Sequence, residues 1–196
     1  MMQKMIQQLI LASTSPYRKS LLGRLGVPFE TISPEVDEHA LPGETAGQLS
    51  LRLARAKALA VFEKRPDSFV IGSDQVALLN GTLLGKPGTE EKALEQLMSM
   101  SDQEVFFETS VALASPGASL RSGTVRTAVK MRKLDEALCR AYIRREHPLN
   151  CAGSAKIESL GIALVERVSS DDPTALIGLP LIMVTDFLLK AGFKIL

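Results

Sequence analysis

The chain has 196 residues, 45% of them apolar and 23% charged, with 23 Lys and Arg against 22 Asp and Glu and a formal net charge of +1. That length allows one large domain or two small lobes with a substantial core, and the near-balanced charge excludes a broad nucleic-acid surface while leaving room for a local basic pocket. Two cysteines, Cys139 and Cys151, and two isolated histidines, His39 and His147, make neither a disulfide framework nor a zinc-ligand spacing.

The segment Met1 to Ile10 has no long apolar core and no small-residue cleavage site, so it does not read as a signal peptide. A run of about 18 apolar residues, the minimum for a spanning helix, occurs nowhere; the likeliest stretch, Leu176 to Leu189, is broken by Pro180 and Asp186. No repeat, low-complexity tract or linker divides the chain. The expectation is a single domain over residues 1–196, cytoplasmic, with no membrane and no nucleic-acid partner.

Leu9 to Ala12 reads as a short strand entering Ser13-Thr14-Ser15-Pro16, a helix-start signal with proline just inside the first turn. The helix continues through Leu21, Leu22 and Leu25 and stops at Gly26. A strand from about Phe29 to Ile32 follows. Amide groups at a helix N-terminus favour anions, and Ser13, Ser15 and Arg18 add hydroxyls and a cation there, with Lys19 beside them. This is a candidate phosphate cradle, although a plain N-cap is the commoner use of such serines. Pro34-Glu35-Val36-Asp37-Glu38 then offers either a solvated acidic loop or hard oxygen ligands for Mg²⁺.

Thr45 to Lys64 has helical spacing, with Leu49, Leu53, Ala56 and Ala60 on one face and Lys57 on or beside that stripe. The lysine either snorkels or points into a cleft where a carboxylate or phosphate neutralises it. Phe69-Val70-Ile71-Gly72-Ser73-Asp74 reads as a buried strand delivering Asp74 at its carboxyl end, where α/β sheets bind ligands. Gly72 permits close backbone approach. Asn80-Gly81 between apolar runs signals a hairpin, whose returning arm carries Lys86 back toward Asp74.

Further on, Thr89 to Met98 reads as a helix, Val105 to Ala114 and Thr124 to Met131 as strands, and Leu134 to Arg145 as a helix. His147 to Glu158 is aperiodic and reads as a functional loop. Ile162 to Val168 reads as a strand, and Gly178-Leu179-Pro180 introduces a final helix to Leu189.

The motifs Ser13-Thr14-Ser15-Pro16-Tyr17-Arg18, Glu35-Val36-Asp37-Glu38, Leu53-Ala54-Arg55-Ala56-Lys57-Ala58, Gly72-Ser73-Asp74-Gln75, Gly85-Lys86-Pro87, Ala152-Gly153 and Gly178-Leu179-Pro180, in this order, resemble the Maf-like nucleoside triphosphate pyrophosphatases from about Leu9 to Leu189. The resemblance implies an α/β fold, Maf/inosine-triphosphatase-like, with a long mixed twisted sheet flanked by helices and two lobes around a central cleft. It implies hydrolysis of a nucleoside triphosphate to monophosphate and pyrophosphate with a divalent cation, Mg²⁺ or Mn²⁺, and a homodimer. Carried onto matching positions, Asp74, Lys57 and Lys86 are catalytic, Ser13, Ser15 and Arg18 bind substrate, and Glu38 and Asp74 hold metal.

Tyr17, Gln75 and Glu158 stand where the thymidine/uridine-triphosphate branch has Arg, Thr and Gln, and so resemble the 7-methyl-GTP branch. An aromatic face attracts a cationic base, and a carboxylate accepts from base amino groups. The family usually has Glu just before the helix lysine; here it is Ala56. Alternatives are a pyrophosphatase of other base preference, dTTP, UTP or inosine-type, and a non-catalytic nucleotide-binding regulator of cell division.

Overall fold

A computed structural model describes residues 8–196. Most of the Met1 to Ile10 segment therefore lies outside the described residues. The strands are β1 (Leu9–Ala12), β2 (Glu30–Ile32), β3 (Phe69–Leu79), β4 (Thr82–Leu84), β5 (Glu104–Ala114), β6 (Arg121–Met131) and β7 (Val165–Ser170). The helices are α1 (Pro16–Gly23), α2 (Ala46–Phe62), α3 (Glu90–Met100), α4 (Glu136–Glu146) and α5 (Leu181–Lys190), with short 3-10 turns at Ala152–Ser154, Leu160–Leu164 and Ala175–Ile177. Among the described residues no helix is long and apolar enough to cross a membrane.

The strands form one mixed sheet in the order β2-β1-β3-β5-β6-β7, with β4 paired to the end of β3. β1 is parallel to β2 and β3; the remaining pairs are antiparallel. The long strands carry apolar residues at both ends and polar ones in the middle. Phe69 and Ile71 of β3 and Val111 and Leu113 of β5 join one core cluster, with Leu21, Leu22, Val184 and Leu188 from α1 and α5. Ala77, Leu79, Val105 and Phe107 join a second, with Leu97, Met100, Cys139 and Ile143 from α3 and α4. Between them lies a buried polar waist, Ser73 and Asp74 of β3 against Glu108, Thr109 and Ser110 of β5. Buried polar groups persist only where partnered, and this waist separates these two clusters, while α2 packs smaller apolar clusters of its own on β3 and β5.

Several sequence expectations need correction. Asp74 is not at the carboxyl end of its own strand: β3 continues unbroken to Leu79, because β5 pairs along it from Val70 to Leu78. The crevice arises because β1 ends at Ala12, opposite Gly72. Asp74 thus lies just past the end of its shorter parallel neighbour. α1 stops at Gly23, and Gly26 serves the following turn with φ +68°. Ile162 to Leu164 is a 3-10 turn, and the strand starts only at Val165, where pairing with Met131 becomes available. The buried stripe of α2 is Ala46, Leu49, Ser50, Leu53, Ala54, Lys57, Ala58 and Val61, so Lys57 is within it and Ala56 and Ala60 are off it.

α2 starts at a complete capping box, Thr45 with Gln48. It then crosses β3 over Gly72, where any Cβ would overlap the Ala54 carbonyl oxygen and the Ala58 amide nitrogen. α5 has Pro180 at its N-cap position and no side-chain cap of its own. Its first free amides are met from a distance: Thr174 Oγ1 accepts from Leu181 N at 2.8 Å and Asp172 Oδ2 from Ile182 N at 2.7 Å.

Candidate active site

The glycine contact between α2 and β3 sets two charged side chains face to face. Lys57 Nζ donates to Asp74 Oδ1 at 2.7 Å, and both side chains are largely buried. The same ammonium reaches Glu38 Oε1 at 2.6 Å. Glu38 is the more open member, with 56% of its side chain exposed against 11% for Asp74. It comes from the loop between β2 and α2. The hydrogen bond from Lys57 holds the Glu38 carboxyl below its ordinary pKa, with Lys57, Lys86 and Arg18 adding positive charge and burial opposing them.

The other acids of that loop do not join the site. Asp37 Oδ1 turns out to His39, pairing with its amide at 3.0 Å and its ring at 2.5 Å in an exposed setting. Glu35 is exposed.

At the first turn the cap reading holds. Ser15 is the N-cap of α1, its side chain accepting from Arg18 N at 3.4 Å, and buried Ser13 accepts from Ser15 N at 3.1 Å. Arg18 leaves the helix surface for the cleft wall. Its Nε donates to Gly178 O at 2.9 Å in a half-buried place, and among the described residues the two terminal nitrogens of the fork make no hydrogen bond or ion pair. Burial pulls its pKa down, while Asp74 and Glu38 raise it. Lys19 is exposed.

Ser73 points to the sheet face opposite Asp74, where its hydroxyl reaches Ser110 O at 2.8 Å and Gly178 O at 3.0 Å. One carbonyl, at a glycine with φ +117°, therefore fixes both Arg18 and β3. Gln75 shares that face. Its Nε2 is divided among Thr109 Oγ1 at 2.9 Å and the carbonyls of Ala175 and Leu176 at 3.0 Å each. The structure thus gives Gln75 the task of holding the turn that ends at Gly178, and its hydrogen bonds go to Thr109 and two backbone carbonyls rather than to Tyr17 or Glu158.

Lys86 is exposed. The hairpin register, Ala77 opposite Leu84, carries it back along β3 as the spacing predicts. Its charge is felt by Glu38 on one side and by Cys151 on the other.

Tyr17 lies on the exposed side of α1 beside the loop that follows α4. Its phenol is raised in pKa first by burial, then by Cys151, Glu158 and Glu146. Glu158 retains open surface, yet its carboxyl is screened enough for burial to raise its pKa, with Glu146 adding and Lys156 opposing. The two residues expected to read the base are therefore neighbours.

The sequence motifs assign no role to Cys151 or to Glu146. The thiol lies near enough to the Tyr17 phenol to help raise its pKa. Glu146 organises the loop, its carboxylate accepting from Ser159 Oγ at 2.9 Å and Leu160 N at 3.2 Å while its carbonyl accepts from Lys156 Nζ. For Cys151 there was a signal, its place directly before Ala152-Gly153; for Glu146, none.

Ala56, the departure from the resemblance, lines an open groove of about 700 Å³ with Leu41, Glu44, Arg52, Arg55 and Leu59. That groove runs along a flank of α2, away from the buried stripe that carries Lys57. A carboxylate there would meet Arg52 and Arg55, not the Lys57–Asp74 pair.

The fold is a mixed α/β sheet with a polar waist, beside which Lys57, Arg18 and Lys86 lie near the carboxylates of Glu38 and Asp74. The chain belongs to the Maf-like protein family, whose model matches residues 8–191. It is 52% identical over 191 residues to a protein of Xanthomonas campestris pv. campestris (strain 8004) named 7-methyl-GTP pyrophosphatase, covering 97% of this chain and 100% of the relative. A protein of the same name from Albidiferax ferrireducens is 49% identical, covering 97% and 96%. Among solved structures, a HAM1 protein from Coxiella burnetii is similar with a TM-score of 0.49 at 16% identity, covering 95% of this chain and 100% of that one.

Proposed function

We propose that this chain is a nucleoside triphosphate pyrophosphatase acting on 7-methyl-GTP, releasing 7-methyl-GMP and pyrophosphate. The observation that carries the reading is Lys57 held between Glu38 and Asp74, with Arg18 and Lys86 contributing charge to the same place. A structural ion pair needs one partner for each charge. This surplus of cations at a cleft suits a triphosphate, and the two carboxylates give the cations counter-charges until it arrives.

Among the described residues no three His, Cys, Asp or Glu side chains cluster as a metal site. The donor set nevertheless fits a hard divalent cation, which takes one or two carboxylates and completes its shell with phosphate oxygens and water. Glu38 and Asp74 would hold it, and when bound it would neutralise charge on the phosphates. Binding requires Lys57 to leave at least one carboxylate, and a triphosphate gives the ammonium other oxygens to meet.

In the reaction, water forms a bond to the α-phosphorus and the bond from that phosphorus to the bridging oxygen breaks. Pyrophosphate leaves with the bridging oxygen. Asp74 orients the water and takes its proton. Arg18 binds phosphate oxygens through its free fork, and Lys57 and Lys86 act as compact charges on the developing pyrophosphate. Tyr17 stacks on the 7-methylguanine base, whose positive charge favours an aromatic face, and Glu158 accepts from the base's N–H edge. Gln75 contributes by holding the turn that presents the Gly178 carbonyl to Arg18. The same reading carries a homodimer and a cytoplasmic location, and size-exclusion chromatography with light scattering checks the former.

The test is pyrophosphate release from 7-methyl-GTP, GTP, dTTP, UTP and ITP with Mg²⁺ or Mn²⁺. Release led by 7-methyl-GTP, abolished by Asp74→Asn with nucleotide binding kept, supports the reading. Release led by another nucleotide removes the base assignment and keeps the phosphate machinery; no release from any nucleotide removes the enzyme.

A further inference from the structure

The phosphate side and the base side of the cleft come from different parts of the chain. Lys86 follows β4, and Cys151 to Glu158 follows α4. One side chain outside both connects them. Gln96 of α3 donates from Nε2 to Gly85 O at 3.1 Å and accepts at Oε1 from Ser154 Oγ at 2.5 Å. A carbonyl only accepts, so the nitrogen must face Gly85 and the oxygen Ser154; the orientation is set by chemistry. Ser154 is fully buried and sits at φ +56°, a backbone position that a non-glycine residue holds only when its surroundings fix it.

Without Gln96, Gly85 O keeps one long bond, from Gly153 N at 3.4 Å, and the nearest further tie is Gly88 N to Leu149 O at 3.0 Å. Gly85 has no side chain to pack, and Lys86 beside it is exposed. Neither fixes the ammonium by burial. On the other side, Ser154 ends the turn that starts at Cys151 and leads into the segment that carries Glu158.

We propose that Gln96 is a positioning residue that sets Lys86 relative to the base-reading segment Cys151–Glu158, so that recognition of the base and placement of the phosphate cation are coupled chiefly through its amide, which reinforces the long Gly153–Gly85 bond. The inference rests on the pyrophosphatase reading above. It concerns a residue outside those assigned above to substrate and metal.

Three variants separate the two ends of the amide. Gln96→Met keeps the size and loses both bonds. Gln96→Glu keeps an acceptor for Ser154 but sets a carboxylate oxygen against the Gly85 carbonyl. Ser154→Gly removes the hydroxyl and tolerates the left-handed backbone. The readouts are kcat and KM for the best and next-best nucleotides of the panel, taken well below each variant's Tm. Small misplacements at such distance cost about tenfold or more in turnover.

Gln96→Met should lower kcat for the best nucleotide by about that factor and bring its preference over the next toward one. Gln96→Glu should lower kcat with preference kept, and Ser154→Gly should lower preference with kcat kept. A merely structural role would lower Tm and leave both kcat and preference where they are, and that result overturns the proposal. Loss that is equal for both nucleotides in all three variants overturns the coupling as well. Native protein that releases no pyrophosphate from any nucleotide defeats the function itself and the coupling with it; active native protein with an unaltered Gln96→Met defeats the coupling alone.

Discussion

Lys57 carries two carboxylates in a place where one would neutralise it. Its side chain is 7% exposed and Asp74's 11%, so their separation from water is nearly complete. Removing one partner of such a pair leaves an uncompensated buried charge, which costs about 3–5 kcal/mol. Lys57→Met should therefore lose that much stability in denaturant titration at neutral pH. Asp74→Asn should lose clearly less, because Lys57 keeps Glu38. Equal losses would mean that the Glu38 contact contributes nothing. Glu158 gives a prediction of the opposite kind. Burial raises its carboxyl above the ordinary value of 4.5, so the ionised form, which alone attracts a cationic base, is lost as pH falls through that raised value. The preference in kcat/KM for 7-methyl-GTP over GTP should decline toward acid pH, sooner than a free glutamate would allow. Glu158→Gln should flatten that profile at a lower preference. The stability sign is reversed: a carboxyl harder to ionise in the folded chain destabilises it above the unfolded pKa, so Glu158→Gln should raise Tm at neutral pH.

At the level of elements, the site depends on how closely α2 lies on β3. Gly72 is the contact, and a Cβ there would collide with the backbone of Ala54 and Ala58. Gly72→Ala must push the helix off the strand, an overpacking cost of about 1–3 kcal/mol. The same shift pulls Lys57 from Asp74, so turnover should fall with stability. Trimming Ala58 to glycine should not rescue either property, because the obstruction is backbone. Rescue by that second substitution would show that the helix rests on side chains instead. The glycine and the lysine were both legible in sequence, one as a point of close approach and the other as a cation on an apolar stripe. Their joint consequence was not, since periodicity places Lys57 on a face without saying which strand lies under it.

For the whole molecule, the two larger apolar clusters share β3 and β5, each running for 11 residues. A lobe cannot unfold without tearing strands that the other lobe packs on. Calorimetry should therefore show one transition, with calorimetric and van't Hoff enthalpies agreeing. Two resolved transitions would mean that the polar waist uncouples the halves. The cleft follows from the same arrangement, since the waist is where neither cluster supplies carbon to cover the sheet.

The sequence by itself determined the alternation of strands and helices, the helix start at Ser13-Thr14-Ser15-Pro16, the Asn80-Gly81 hairpin and the ordered motifs that identify the family, because each is written in neighbouring residues. It also singled out Lys57 and Asp74, since charged residues in or beside apolar runs need partners, and Glu38 through its acidic loop and the family resemblance. Only the tertiary structure decided that one ammonium serves both carboxylates, that Asp37 turns away, that Ala56 faces another groove, and that Gln75 holds a turn while Gln96 joins two loops. Those outcomes depend on distances between residues far apart in the chain. They are fixed by packing, through the closeness of α2 to Gly72 and the register of the sheet, and local pattern carries no measure of either.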